Sequence, residues 1–411
     1  MKIPLSRPEI AEAEIQAVTR VLRSGQLSLG PLLPEFETKF AEYVGTRYAV
    51  ATNSGTSALH LAALALGIGP RDEVLTTSFS FVASANCILH VNAQPIFAEI
   101  DGATLNLDAG RLRELIARQY EWQGGRTHLV NRQTGGALKA ILPVHVFGLP
   151  CDMQAIREIA DEFHLSVLED ACEALGAEYR GRRVGTFGEA AAFAFYPNKQ
   201  MTTAEGGMIV TDDARLAKVC RSVRNQGRDE SAAWLRHVRL GYNFRLSELH
   251  CALGIAQLER IDELLAARKR VAELYAERLA SVPQIELLAQ VPDATRSWFV
   301  YVIRLRGANG PALRNALMQG LRGRGIGCQA YFPAIHRQPY FAEYISPSQG
   351  PLPVTESTAE RCLALPFFAS IASEEVEEVC AAVREILAEA EASFVSFEEQ
   401  CAAAAAGRGN S

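Results

Sequence analysis

Between about residue 45 and residue 215 the chain alternates short apolar runs with amphipathic stretches of ten or more residues, and few architectures accommodate that rhythm. "RYAVAT" reads as a strand and "SALHLAALALG" as a helix closed by Gly67. "DEVLTT", "QPIFAEID", "KAILPVHV" and "LSVLED" are further strands, separated by the helical "FVASANCILHV", "LDAGRLRELIARQ" and "DMQAIREIADEFH". Strands rich in Val, Ile and Leu, each followed by a helix, make βαβ units, and such units build a largely parallel sheet covered on both faces. "EAAAFAF" and "GGMIVTD" supply two more strands. The fold class is α/β.

At 411 residues the chain is long enough for two domains. Residues 121–137, around "EWQGGRTHLVNRQTGG", carry glycines without an apolar period and read as a surface insertion. From 246 the style changes. "LSELHCALGIAQLERIDELLAARKRVAELYAERLA" keeps apolar residues at three- and four-residue spacing throughout, as one long connecting helix does. Beyond it, "WFVYVIRLR" (strand), "ALRNALMQGLRGRG" (helix), a proline-rich loop and "SEEVEEVCAAVREILAEA" (helix) suggest a smaller α/β domain. The expected division is 1–245, 246–390 and an alanine-rich, disordered tail at 391–411. No internal repeat is present.

Composition narrows the function classes. A net charge of −6 and the lack of any long basic block give no support for nucleic-acid binding. The nine cysteines are irregularly spaced and form no C-x-x-C, which argues against a disulfide framework or a zinc site and fits a reducing compartment. "MKIPLSRPEIAEAE" has no apolar signal region, and "ALHLAALALGIG" is too short to span a bilayer, so a cytoplasmic protein is expected.

Polar residues fall where strands of the parallel sheet end, and that is where such sheets bind ligands. In "ATNSGTSALH" a strand runs through Ser-Gly-Thr-Ser into a helix, leaving free N–H groups and hydroxyls suited to a phosphate. Capping by Ser54 or Thr56 alone also explains it. Asp170 closes the apolar "LSVLED"; a buried carboxylate needs donors or a cation, so it is either a structural ion pair or the partner of a bound cation. Lys199 follows "FAFYPN" and either snorkels to water or, against low-dielectric walls, serves as an amine nucleophile. Phosphate cradle, buried aspartate and amine together match the needs of pyridoxal 5′-phosphate. No metal ligand set stands out.

The chain resembles the DegT/DnrJ/StrS sugar aminotransferases, fold type I pyridoxal-phosphate enzymes of the aspartate aminotransferase-like class. Those have a mostly parallel seven-stranded-type sheet and a smaller C-terminal α/β domain. The resemblance rests on "NSGTSALHLA", "LPVHVFGLPCDM", "LEDACEALGAEYRGRRVGTFG", "FAFYPNKQMTTAEGGMIVTDD" and "GYNFRLSELHCALGIAQL". It implies that Lys199 bonds covalently to the cofactor, Asp170 pairs with its ring nitrogen, Thr56 and Ser57 hold its phosphate, and Phe81 stacks on its ring. Asn243 would reach the phosphate of a partner subunit, which implies a homodimer with shared active sites. Two positions depart from many relatives: Ala194 stands where they carry serine, and Glu173, next to the cofactor's phenolate oxygen, where they carry glutamine. Ser28, Arg245, Tyr331 and His336 are candidate substrate contacts, His336 equally a loop histidine satisfied within the fold and Arg245 equally half of an ion pair. The implied reaction moves the amino group of L-glutamate to a nucleotide-linked keto sugar, at C4 in preference to C3, in amino-sugar and polysaccharide biosynthesis. Alternatives are a keto-cyclitol substrate or a non-catalytic cofactor-binding regulator; a lysine at 199 weighs against the branch of sugar dehydratases that carries histidine there.

Overall fold

The computed structural model describes residues 2–125, 127–229 and 236–407, with those from 393 onward described as backbone only. The alternating region supplies β1 (Tyr48–Thr52), β2 (Asp72–Thr77), β3 (Gln94–Ala98), β4 (Tyr120–Gln123), β5 (His128–Asn131), β6 (Ala137–Leu142), β7 (Ser166–Asp170), β8 (Glu178–Tyr179), β9 (Arg182–Arg183), β10 (Ala190–Ala194) and β11 (Gly207–Thr211). Seven of them lie in the order β1-β11-β10-β7-β6-β2-β3. β10, β7, β6, β2 and β3 pair in parallel, whereas β11 runs antiparallel to both β1 and β10.

Side chains along these strands alternate between two apolar layers, as a pleat requires. Val50, Ala192 and Ile209 face one cluster with α3 (Gly55–Ala65), α4 (Ala83–His90) and α7 (Ala214–Arg224). Ala51, Phe193 and Val210 face the other, where α2 (Leu32–Val44) contributes Phe36 and Phe40. On that same face, α5 (Ala109–Gln119) and α6 (Met153–Phe163) cover β2, β3, β6 and β7. Helix starts are set locally: Asp108, Asp152 and Asp213 each accept an N–H from the first turn they precede. α1 (Glu12–Ser24) packs outside, its Ala17 and Val21 against Ala252 and Ala256.

The long helix expected from 246 onward is two helices. α8 (Glu248–Glu259) and α9 (Ile261–Leu279) part at Arg260, whose φ of −117° and ψ of 20° leave the helical region. α8 buries Cys251, Ile255 and Leu258 in the layer of α2, whereas α9 buries Val271, Tyr275 and Leu279 in a separate cluster. Ile261, at the start of α9, still lies with α8, and from Val271 on the chain builds a second apolar unit. That second cluster is completed by β12 (Ile285–Leu287), β14 (Tyr301–Leu305) and β15 (Cys362–Leu365), paired as β12-β14-β15, with α10 (Gly310–Gly323) and α12 (Ser373–Gly407). β13 (Ala294–Thr295) pairs with β8, and α11 (Pro353–Arg361) leads into β15.

Two further expectations are corrected. The supposed insertion at 121–137 is the β4–β5 hairpin, and β5 adds to β6; its turn uses Gly124 and Gly125 at positive φ. The alanine-rich stretch continues α12 to Gly407 instead of ending the ordered chain at 390. Alanine has the highest helix propensity of any residue, so an alanine run prolongs a helix already begun; residues 408–411 of the expected tail lie outside the described residues. Among the described residues no helix is long and apolar enough to cross a membrane.

Candidate active site

Five segments leave the carboxyl ends of parallel strands on one rim and enclose a cavity of about 460 Å³, within the size range of small-molecule sites. After β1, Ser54 caps α3: its Oγ accepts the N–H of Ser57 at 3.1 Å, and its carbonyl accepts that of Ala58. The N–H groups of Gly55 and Thr56 then have no partner among the described residues, and Ser54, Gly55 and Thr56 line the cavity. Ser57 does not line it; it is buried, with its hydroxyl 2.9 Å from that of Ser54. The backbone approaches closely here. A Cβ at Gly207 would lie 2.3 Å from the Ser54 carbonyl oxygen, and one at Gly55 would lie 2.6 Å from the Cβ of Ala194. This accounts for the glycine that opens β11.

Asp170 ends β7, is 4% exposed and lines the cavity. Ser84 Oγ donates to its Oδ2 at 2.7 Å and the Cys172 N–H to its Oδ1 at 3.1 Å. Because the carboxylate can only accept, the Ser84 hydroxyl is spent on it, and Ser80 Oγ, 2.8 Å away, must donate to Ser84. No cationic side chain among the described residues pairs with Asp170. A buried carboxylate facing a cavity with donors but no cation fits a protonated ring nitrogen.

Lys199 sits in the loop after β10. Its N–H donates to the Tyr196 carbonyl at 2.9 Å, closing a turn with Pro197 in the second position, where the fixed proline φ is favoured. The amine lies 4.2 Å from the centre of the Phe299 ring and 3.8 Å from Glu173 Oε1. Arg268 of α9 holds the Lys199 carbonyl at 2.6 Å and the Phe299 carbonyl at 3.2 Å. Burial pushes this guanidinium down to about 10, still charged at neutral pH. Glu173 is buried, with Oε2 accepting the Phe147 N–H at 3.0 Å. Burial raises its carboxyl to about 7, against the opposing pull of the Lys199 charge.

Amine, cation-free carboxylate and unpaired N–H groups converge in one space, and Phe81, 59% exposed, presents an aromatic face to it. These residues fit pyridoxal phosphate. Of the candidate substrate contacts, Tyr331 lines the cavity, its hydroxyl pushed up to about 12 by burial. His336 does not: Nδ1 lies 2.7 Å from Ser78 Oγ and Nε2 3.0 Å from Glu356, so the ring is held inside the fold. Ser28 and Asn243 are exposed and do not line the cavity, and Arg245 donates to Asn225 at 3.1 Å. Sequence reasoning missed Ser84, Phe299 and Arg268. A serine at four-residue spacing from Ser80 at the start of α4 was a usable signal for the first; the other two come from α9 and the second unit and had none.

The family model for the DegT/DnrJ/EryC1/StrS aminotransferases matches residues 8–384. The chain is 38% identical over 361 residues to the GDP-perosamine synthase of Caulobacter vibrioides, covering 88% of this chain and 91% of that protein. It is 35% identical over 395 residues to the spore coat polysaccharide biosynthesis protein SpsC of Bacillus subtilis, covering 94% and 97%. Among solved structures, DesV of S. venezuelae superposes with a TM-score of 0.80 at 35% identity, covering 91% of this chain and 94% of that one.

Proposed function

The chain belongs to the DegT/DnrJ/EryC1/StrS aminotransferase family and is a pyridoxal-phosphate-dependent enzyme, and from that premise we propose that it transfers the amino group of L-glutamate to a nucleotide-linked keto sugar, at C4 in preference to C3, in amino-sugar and polysaccharide biosynthesis. One observation carries the reading: the Lys199 amine, the Asp170 carboxylate and the open N-terminus of α3 face a single cavity. Similarity to a GDP-perosamine synthase, whose name contains a nucleotide-bound sugar, supports the substrate class.

When bound, the cofactor supplies a carbonyl that carries the amino group and a ring that withdraws electrons while a substrate C–H bond gives up its proton. The other tasks belong to this chain. The Gly55 and Thr56 N–H groups bind the phosphate, aided by the field of the helix end. Phe81 packs on the ring face. Asp170, oriented by Ser84 and the Cys172 N–H, keeps a proton on the ring nitrogen. Lys199 would hold the cofactor through its amine, and the same amine would move the proton at the reacting carbon. Asn243, exposed beyond its own cavity, reaches the phosphate of a second copy in a homodimer. Exposed apolar side chains at the cavity mouth, Phe81 and Tyr196, support a partner there.

The test is Lys199→Ala. Transamination of glutamate with UDP-, GDP- and dTDP-linked keto sugars should disappear, together with the visible absorbance of the lysine-bound cofactor. Full turnover by this variant excludes the reading.

A further inference from the structure

Glu173 is built into the site more rigidly than a contact residue needs. Oε2 is pinned by the Phe147 N–H at 3.0 Å, and its own carbonyl by Gln200 Nε2 at 2.7 Å. Phe147 adopts a φ of 52°, a left-handed conformation disfavoured for a residue with a side chain. That conformation is over-determined: the Phe147 carbonyl accepts from Arg296 Nη1 at 3.1 Å, and a Cβ on the following Gly148 would lie 1.7 Å from the Ser297 carbonyl oxygen. The fold thus aims one backbone N–H at one oxygen and leaves the other, Oε1, 3.8 Å from the Lys199 amine. Glutamine at this position would accept the same N–H. It could not carry a proton.

We propose that Glu173 is the proton-exchange partner of Lys199, taking a proton from its ammonium group and returning it in each cycle; this rests on reading Lys199 as the reactive amine. In the step an N–H bond of Lys199 breaks and an O–H bond forms at Glu173 Oε1. An ion pair becomes a neutral amine and a neutral acid, and no electrons are transferred to or from the pair. A shift of about 1 Å brings the two atoms to hydrogen-bond distance. Besides Lys199, the titratable groups bearing on Glu173 are Asp170, Cys172 and Tyr331, while Arg296 sits behind Phe147. Burial sets the direction: the carboxyl is raised to about 7, so Glu173 changes charge where the enzyme works. The sign follows. Glu173 accepts a proton only when ionised, so the rate declines about tenfold per pH unit below that value.

Three measurements on the full chain test this. In the Glu173→Gln variant the limb of the pH–rate profile near 7 should vanish and turnover should fall by about 100-fold. With ¹³C-labelled glutamate in the cofactor-free protein, one carboxyl carbon should titrate near pH 7 and be missing from Glu173→Gln. In Lys199→Ala that resonance should titrate at higher pH, because the cation that opposes protonation is gone. The NMR measurements need neither cofactor nor sugar, so they read the pair even if no keto sugar is turned over. The proposal is overturned if no carboxyl titrates between about pH 6 and 8, if Lys199→Ala leaves the titration unmoved, or if Glu173→Gln keeps the wild-type limb.

Discussion

Glu169 and Asp170 are adjacent acids in β7 with different surroundings. Glu169 accepts N–H groups from Gly185, Phe187 and Gly188 and a bond from His145 at 3.2 Å. His145 takes the Cys151 N–H on Nδ1, so its proton sits on Nε2 and points at Glu169. Burial pushes the Glu169 carboxyl up, but these donors outweigh it and hold it below its ordinary value. Asp170 instead accepts from Ser84 Oγ and the Cys172 N–H, and it faces the cavity. Asp170→Asn keeps an acceptor for the Cys172 N–H but removes the charge proposed to hold a proton on the ring nitrogen. Turnover should fall by about 10²–10³-fold with little loss of thermal stability, measured by single-turnover absorbance and thermal unfolding. Asp170 stands out in the sequence because it ends an apolar strand, and Lys199 because it follows one, in the loop after β10. Phe299 and Arg268 were not, because they meet Lys199 only once α9 and β14 have folded against the large sheet.

The elements of the large sheet were legible wherever burial imposes a period, which is why β1 to β3 and the helices between them fall close to expectation. Where the deciding contact is remote, periodicity misled. The apolar spacing runs unbroken through Arg260, yet the backbone leaves the helical region there, and α9 passes from the cluster of α8 at Ile261 into the second cluster from Val271 on. Likewise β4 and β5 are short and half exposed, so pairing with each other, and of β5 with β6, defines them rather than any pattern of their own. The contact between β11 and the β1–α3 turn gives a prediction at this scale. Gly207→Ala places a Cβ 2.3 Å from the Ser54 carbonyl oxygen. It should cost about 1–3 kcal/mol in denaturant unfolding and weaken cofactor retention in equilibrium titration. Gly69→Ala, with nothing within 4 Å of its Cβ, should do neither.

For the whole molecule, exposed apolar side chains lie close in sequence to the residue proposed to meet a second copy. Leu240 is 86% exposed and Val238 40%, in the same segment that leads to Asn243. If Asn243 completes the site of a partner, mixing Lys199→Ala and Asn243→Ala protomers creates heterodimers with one intact site. Turnover should rise above that of either variant alone. No gain after subunit exchange, followed by sedimentation to verify mixing, would mean that Asn243 acts within its own chain or not at all.

β11 runs against its neighbours, and this governs how the Lys199 amine is carried. Residues 195–206 leave β10 and return to β11 on the same rim, stitched by Phe195 N–H to the Gly206 carbonyl and Thr203 N–H to the Phe195 carbonyl. The lysine therefore hangs from a short leash anchored at both ends, its backbone carbonyl held by Arg268. Lengthening that leash would slacken that hold, whereas the β4–β5 hairpin, remote from it, can grow or shrink without altering its reach.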